Sequence, residues 1–279
     1  MEEFLYEIEN LSIRPRKRLL RGGKGHHRGS GFGNSMDFYG HRQYTVGDDI
    51  KKVDWKAYLR TEDFYVKEFI EDKQLNVNII LDNSKSMDFG NPKKWEISKM
   101  ISLGIGYITL KQMDILNVFT INDGINCVLD NIKGKDSIYK LIEVLSKIEP
   151  KGKTDFTQIW NLESIKPGIT FIISDFFGDS LDSFMDYLYL QRNEIISIHI
   201  LDTLEIQPEF EEELKLIDME TKDVRRVKID RNVREKYLKK IHDFIEKCKN
   251  ICEAREAFHV FALTNTSPKE ILARALGGV

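Results

Sequence analysis

Hydrophobic patterning changes character near residue 75. Val77, Ile79, Ile80 and Leu81 form a dense, mostly β-branched apolar run, which predicts a strand buried on both faces. Ile97, Met100, Ile101, Gly104, Ile105 and Ile108 then recur at i, i+3, i+4, i+7, i+8 and i+11, the inner face of a helix. Short apolar strands are expected from Ile115 to Thr120 and from Ile125 to Leu129, the second at an edge. Ile138, Leu141, Ile142 and Leu145 mark another helix. Thr170 to Ser174 reads as a buried strand ending in Asp175, followed by a helix from Leu181 to Arg192 and a strand from Ile195 to Leu201. Glu213 to Asp218 and Val224 to Ile229 flank Glu220-Thr221-Lys222-Asp223, the pattern of an inserted β-hairpin within 204–230. A long helix from Arg231 to Glu256 carries Tyr237, Ile241, Phe244, Ile245 and Cys248 on its inner seam. Phe258 to Thr264 is a last strand, and Pro268 to Leu276 a closing helix with proline in its first turn. Alternating strands and helices predict an α/β fold: a doubly wound, mostly parallel sheet with helices on both faces.

Residues 1–74 read differently and are expected to form a separate segment before the 75–279 domain. Phe4, Leu5, Ile8 and Leu11 predict a short amphipathic helix over 4–12, ended near Pro15. A basic, glycine-rich stretch follows from Arg14 to Gly33, with Arg14, Arg16, Lys17, Arg18, Arg21, Lys24 and Arg28 and no acid. It reads as a solvated loop that balances acid elsewhere; the alternative is contact with nucleic acid or another anion. Tyr44 to Asp49 resembles a strand entering a turn. Asp48 or Asp49 is expected to cap an amphipathic piece around Ile50, Val53 and Ala57 and to partner Lys51 and Lys52. Asp63 to Glu71 predicts a strand, so this extension contains β structure.

Composition narrows the class. The 279 residues are 41% hydrophobic and 31% charged, as in an ordinary globular protein, and the formal charge of -3 gives no global reason to expect nucleic acid. No apolar run approaches the roughly 18 residues of a membrane span. Met1-Glu2-Glu3-Phe4 lacks a signal-peptide pattern, so the expected compartment is the cytoplasm. Cys127, Cys248 and Cys252 are too scattered for a disulfide framework. Cys248 and Cys252, one helical turn apart, are expected in the core.

Candidate chemistry sits at strand ends. Asp82, Ser84 and Ser86 follow the Val77 strand as D-x-S-x-S, one carboxylate and two hydroxyls that a loop can aim at a single point. Thr154 lies in the loop Pro150 to Asp155, and Asp175 ends the Thr170 strand. Oxygen-only donors suit Mg²⁺ or Mn²⁺, and strand C-termini are where open α/β sheets bind ligands. Ser84, Ser86 and Thr154 would ligate directly, with Asp82 and Asp175 supplying charge directly or through water. Neutral hydroxyls in the first shell leave the ion electrophilic, ready for a carboxylate from outside. That is a docking device, not a catalytic one.

Enzymatic alternatives fit less well. A phosphoester hydrolase of the haloacid-dehalogenase type would need D-x-D-x-T, whereas Ser84 stands at the second position. Gly152-Lys153-Thr154 resembles the end of a P-loop whose opening glycine would fall at Lys147. Neither serine lies in a G-x-S-x-G elbow, and His26, His27 and His41 have no evident partner.

D-N-S-K-S-M at 82–87, Thr154 and I-S-D at 173–175 resemble the metal-ion-dependent adhesion site of von Willebrand factor A domains. The stretch G-H-R-Q-Y-T-V-G-D-D-I-K-K-V-D-W-K-A at 40–57, with V-K-E-F-I-E-D at 66–72 and L-I-D-M-E-T at 216–221, resembles the family called domain of unknown function fifty-eight. That resemblance implies a von Willebrand A-like, Rossmann-like fold and association with MoxR-type AAA+ ATPases in assembly or activation of other proteins. It also implies the metal set Asp82, Ser84, Ser86, Thr154 and Asp175, and a client that supplies an acidic residue. Lys153 departs from the pattern, standing where a second glycine is frequent in A domains.

Overall fold

A computed structural model describes residues 2–16, 36–71, 74–161, 165–208, 213–217, 224–228 and 231–277. The chain opens with α1 (Glu2–Glu7), β1 (Met36–Gln43), α2 (Trp55–Thr61) and β2 (Tyr65–Glu71). Next come β3 (Asn76–Asp82), α3 (Lys94–Lys111), β4 (Ile115–Ile121), β5 (Ile125–Ile132), α4 (Ile138–Lys147) and β6 (Ile169–Ser174). The remainder is α5 (Leu181–Leu190), β7 (Glu194–Leu201), α6 (Thr203–Ile206), β8 (Glu213–Ile217), β9 (Val224–Lys228), α7 (Arg231–Glu253), β10 (Phe258–Leu263) and α8 (Pro268–Leu276). Two compact units result, Met1–Leu19 with Leu75–Val279, and Leu20–Gln74.

The larger unit is built on a six-stranded sheet in the order β10-β7-β6-β3-β4-β5. Every neighbouring pair is parallel except β4 with β5, and β5 lies at the edge of the sheet, as expected for Ile125 to Leu129. Alternation decides which face each side chain serves. Val77, Ile79 and Leu81 point into a layer formed with Phe4 of α1, Ile8 just after it, Ile101 and Ile105 of α3, Leu141 of α4 and Leu272 of α8. Ile80 points to the other layer, with Phe184 and Leu188 of α5 and Cys248 and Cys252 of α7. β3 is therefore buried on both faces, and each of its large aliphatic side chains contributes about 1.5–3 kcal/mol. Cys248 and Cys252 are core residues, with thiols that burial pushes up to about 12 and about 11. β8 and β9 pair as the expected antiparallel hairpin.

Several differences from the sequence reading have clear causes. The first helix stops at Glu7, not near residue 12, because the chain turns to an extended course. There Ile13 donates its N–H to Gln112 Oε1 and accepts from Gln112 Nε2, at 2.8 and 3.0 Å. That docking, with Phe4, Ile8 and Ile13 buried, puts residues 2–16 in the larger unit, although they lie within the expected 1–74 segment.

In the smaller unit the strand precedes Tyr44. β1 pairs antiparallel with β2, and 44–49 is the turn after it. Asp48 does not partner the neighbouring lysines. It accepts two hydrogen bonds of 2.6 Å from the Arg42 guanidinium and one of 2.8 Å from Thr45 N–H, which hold its carboxyl well below the usual range. The expected amphipathic piece divides: Asp49 caps a 3₁₀ turn at Ile50–Lys52, and Asp54 caps α2. Val53 and Ala57 are buried, but Ile50 is 63% exposed.

Candidate metal centre

β3 and β6 are parallel neighbours with Leu81 beside Ile173, so their C-termini reach the same rim. Asp82 ends β3 fully buried. Its Oδ1 accepts from Ser84 N–H at 2.8 Å, and its Oδ2 accepts from Thr154 Oγ1 at 3.0 Å and from Ser174 Oγ at 2.5 Å. Burial, and then the nearby Asp175 carboxylate, push the Asp82 carboxyl up to about 6, against the pull of Ser174 and Ser84. Its ionised form is thus short of compensating positive charge.

Thr154 arrives by a different route. Its loop is stitched to the D-x-S-x-S loop: Lys151 N–H donates to Asn83 O at 2.8 Å and Lys85 N–H to Gly152 O at 3.0 Å. Gly152 has a φ of +67°, and a Cβ there would fall 2.2 Å from Asp123 Oδ2. Only glycine fits that approach. Asp123 in turn accepts from Lys153 N–H at 2.9 Å, and Asp155 N–H donates to Asn122 O at 2.9 Å, so the β4–β5 turn supports the same loop.

All five residues named from the sequence converge on this rim. Ser84 Oγ lies 2.9 Å from Ser86 Oγ. The two hydroxyls share a hydrogen bond at that distance, and since adjacent ligands of an octahedral ion with bonds of about 2.0–2.1 Å stand about 2.9 Å apart, the separation is compatible with both binding one Mg²⁺. The donor set is oxygen throughout. Among the described residues no three His, Cys, Asp or Glu side chains cluster as a metal site, so hydroxyls make the difference here. These residues fit Mg²⁺ or Mn²⁺.

Asp175 is also fully buried, with Oδ1 accepting from Phe177 N–H at 3.1 Å and Oδ2 from Lys94 Nζ at 2.7 Å. Lys94, with no exposed surface, reaches Glu205 Oε1 at 2.6 Å as well. Burial by itself would lower the ammonium's pKa; Asp175 and Glu205 outweigh it and raise it. Sequence reasoning missed Lys94, Glu205 and Ser174. One signal was available for Lys94: with Ile97, Ile101, Ile105 and Ile108 it continues the buried stripe of α3 one turn toward the N-terminus.

Other candidates resolve into structural roles where they are described. His41, expected to lack a partner, lies 2.6 Å from Asp54 Oδ2. Arg16 N–H donates to Glu194, its guanidinium donates to Ala275 O at 2.9 Å, and its Cζ lies 3.6 Å above the Phe258 ring. Arg16 thus serves packing in the larger unit. Lys17, Arg18, Arg21, Lys24, Arg28, His26 and His27 lie outside the described residues.

Fold and rim together define an α/β domain with carboxylates and hydroxyls gathered at the C-terminal edge of a mostly parallel sheet. Residues 40–245 match the family described as "Protein of unknown function DUF58", and the chain belongs to it. Relatives include "Uncharacterized protein Rv1480" of Mycobacterium tuberculosis and "Uncharacterized protein Mb1516" of Mycobacterium bovis, each 24% identical over 206 residues. Those matches cover 70% of this chain and 64% of the relative, so the chain spans less than two-thirds of the relatives' own length.

Among solved structures the chain is similar to the conserved hypothetical protein BatB from Bacteroides thetaiotaomicron, with 15% identity, a TM-score of 0.46, and 73% of this chain and 97% of that one covered. It is similar to the SpRpn10 VWA domain, with 12% identity, a TM-score of 0.43, and 74% and 98% covered. It is also similar to manganese-loaded TRAP protein of Plasmodium vivax, with 14% identity, a TM-score of 0.40, and 72% and 71% covered. Among the described residues no helix is long and apolar enough to cross a membrane.

Proposed function

We propose that the chain is a non-enzymatic protein-interaction module that docks an acidic residue of a client through a divalent cation. Ser84, Ser86 and Thr154 would hold Mg²⁺ or Mn²⁺, and Asp82 and Asp175 would orient the shell by hydrogen bonds and through water. The bound ion would supply Lewis-acid attraction for an incoming carboxylate. The 2.9 Å separation of the Ser84 and Ser86 hydroxyls beside a buried, charge-deficient Asp82 is the observation that carries this reading.

Family resemblance supports a MoxR-type AAA+ ATPase as a partner in the cytoplasm, with the client's assembly or activation as the outcome. Affinity capture with crosslinking, run in parallel with Mg²⁺ and with chelator, tests the reading. Capture of an ATPase and a client is expected in Mg²⁺ only, and lost in Asp82→Ala with the fold retained. Capture unchanged by EDTA would sink it.

A further inference from the structure

Lys94 is the feature that the metal reading leaves unexplained. A lysine with no exposed surface is costly to bury unless its charge is matched, and here two carboxylates match it. The three groups come from different elements: Lys94 from the start of α3, Asp175 from the end of β6, and Glu205 from α6, after β7. Glu205 is itself held in place. Its Oε2 accepts from Asp202 N–H at 2.7 Å in a capping box, while its backbone carbonyl accepts from Tyr237 Oη at 2.6 Å.

Consequences for Asp175 follow from its two oxygens. Oδ1 is taken by Phe177 N–H and Oδ2 by the Lys94 ammonium. Each oxygen keeps a second lone pair, but a shift of the carboxylate toward a cation at Ser84 and Ser86 would strain both bonds and part it from the buried ammonium, so Lys94 opposes that shift. Part of its charge is already spent on Lys94.

We infer that Lys94 is a positioning residue which keeps Asp175 out of the inner coordination shell, leaving a coordination position for a client's carboxylate, and that Glu205 sets how strongly it does so. This rests on the metal reading above. Glu205 shares the ammonium, so it weakens the hold of Lys94 on Asp175. Lys94 therefore trades affinity for the bare ion against room and charge for the acidic ligand. Its two neighbours act on that trade with opposite signs.

Titration with Mn²⁺ alone tests the inference, by calorimetry for affinity and by water-proton relaxation for the number of bound waters. Lys94→Met frees Asp175 to coordinate directly. The expected result is Mn²⁺ binding tightened by roughly tenfold or more, with about one bound water fewer, since a unit charge is removed close to the site. Glu205→Gln leaves the ammonium wholly on Asp175, and Mn²⁺ binding should weaken with the water count unchanged. If Lys94→Met fails to fold, because two buried carboxylates lose their counterion, a Lys94→Met/Glu205→Met double variant, expected to tighten binding as Lys94→Met does, still decides. A purely structural role predicts weaker binding in every variant, and that outcome, or unchanged affinity, overturns the inference. A wild-type chain that takes up no Mn²⁺ overturns the metal reading itself.

Discussion

Thr154 Oγ1 donates to Asp82 Oδ2 across 3.0 Å, although the two residues are 72 positions apart in the chain. The bond joins the loop after α4 to the end of β3, on the carboxylate that also accepts from Ser84 N–H. Thr154→Val keeps the shape and removes the oxygen. Losing a hydrogen bond to a buried carboxylate should destabilise the metal-free protein by about 1.5–3 kcal/mol. Mn²⁺ affinity should fall at least about tenfold, the equivalent of 1.4 kcal/mol. Calorimetric titration beside thermal melting separates the two effects, and unchanged Mn²⁺ affinity would remove Thr154 from the ligand set.

Gly168 stands where the chain enters β6, and a Cβ built there would lie 2.0 Å from the backbone oxygen of Asn76 at the start of β3. A backbone carbonyl inside a paired strand cannot swing away as a side chain can. Gly168→Ala should therefore push β3 and β6 apart at the rim opposite the candidate centre, with a loss of more than about 3 kcal/mol, at the upper end of overpacking costs. Urea unfolding at constant m-value reads this directly. A change of under about 1 kcal/mol would mean that the strand pair is not held as described.

The core of the fold was legible because it rests on periodicity. Val77 to Leu81, the stripe Ile97 to Ile108 and the run Thr170 to Ser174 each have one solution in an α/β sheet, and β3, α3 and β6 occupy those positions. That Asp82, Ser84, Ser86 and Asp175 share a rim was legible because the chain must leave parallel strands at one rim, whereas Thr154, in the loop after α4, reaches it through the loop-to-loop bonds of Lys151 with Asn83 and Lys85 with Gly152. Lys94 was not read as buried, because Lys93-Lys94 at a helix start reads as solvated charge; its place on the α3 stripe hinted at burial, and its distant partners Asp175 and Glu205 explain it. The strand entering the Tyr44 to Asp49 turn was placed a few residues late, because the turn is held by Arg42 and Thr45 gripping Asp48, a contact that leaves no period in the sequence.

Acid should weaken the fold through His259. Burial, and then Lys249, lower its pKa from 6.5 to about 4, while Ser197 Oγ lies 3.0 Å from Nδ1. Between those values the unfolded chain binds a proton that the folded chain refuses, so stability falls as pH drops from about 6.5 to about 4. Asp82 acts in the opposite sense over part of this window, because its raised carboxyl favours the folded state as it protonates. Comparison with a variant, not the raw curve, is therefore the readout. His259→Gln should melt closer to its pH 7 temperature at pH 5 than the wild type does. Equal losses in both proteins would show that His259 protonates freely in the fold.

Asp54 organises the smaller unit more than its small apolar core suggests. Val53, Ala57 and Val66 are buried there, a modest set, while Asp54 accepts from Lys56 N–H at 3.0 Å and Ala57 N–H at 3.2 Å, and pairs with His41 Nε2 at 2.6 Å. One carboxylate thus caps α2 and ties it to β1. Asp54→Ala leaves the first-turn N–H groups of α2 without their acceptor and His41 without its counterpart. Hydrogen exchange should speed up across 55–61 and along β1 while β3, β6 and β7 keep their protection, because Asp54 and its partners lie in the smaller of the two compact units. Asp54→Asn, which retains a capping oxygen, should restore most of the protection in α2 and little of it at His41. Uniform loss across the six-stranded sheet would show instead that Asp54 supports the whole chain.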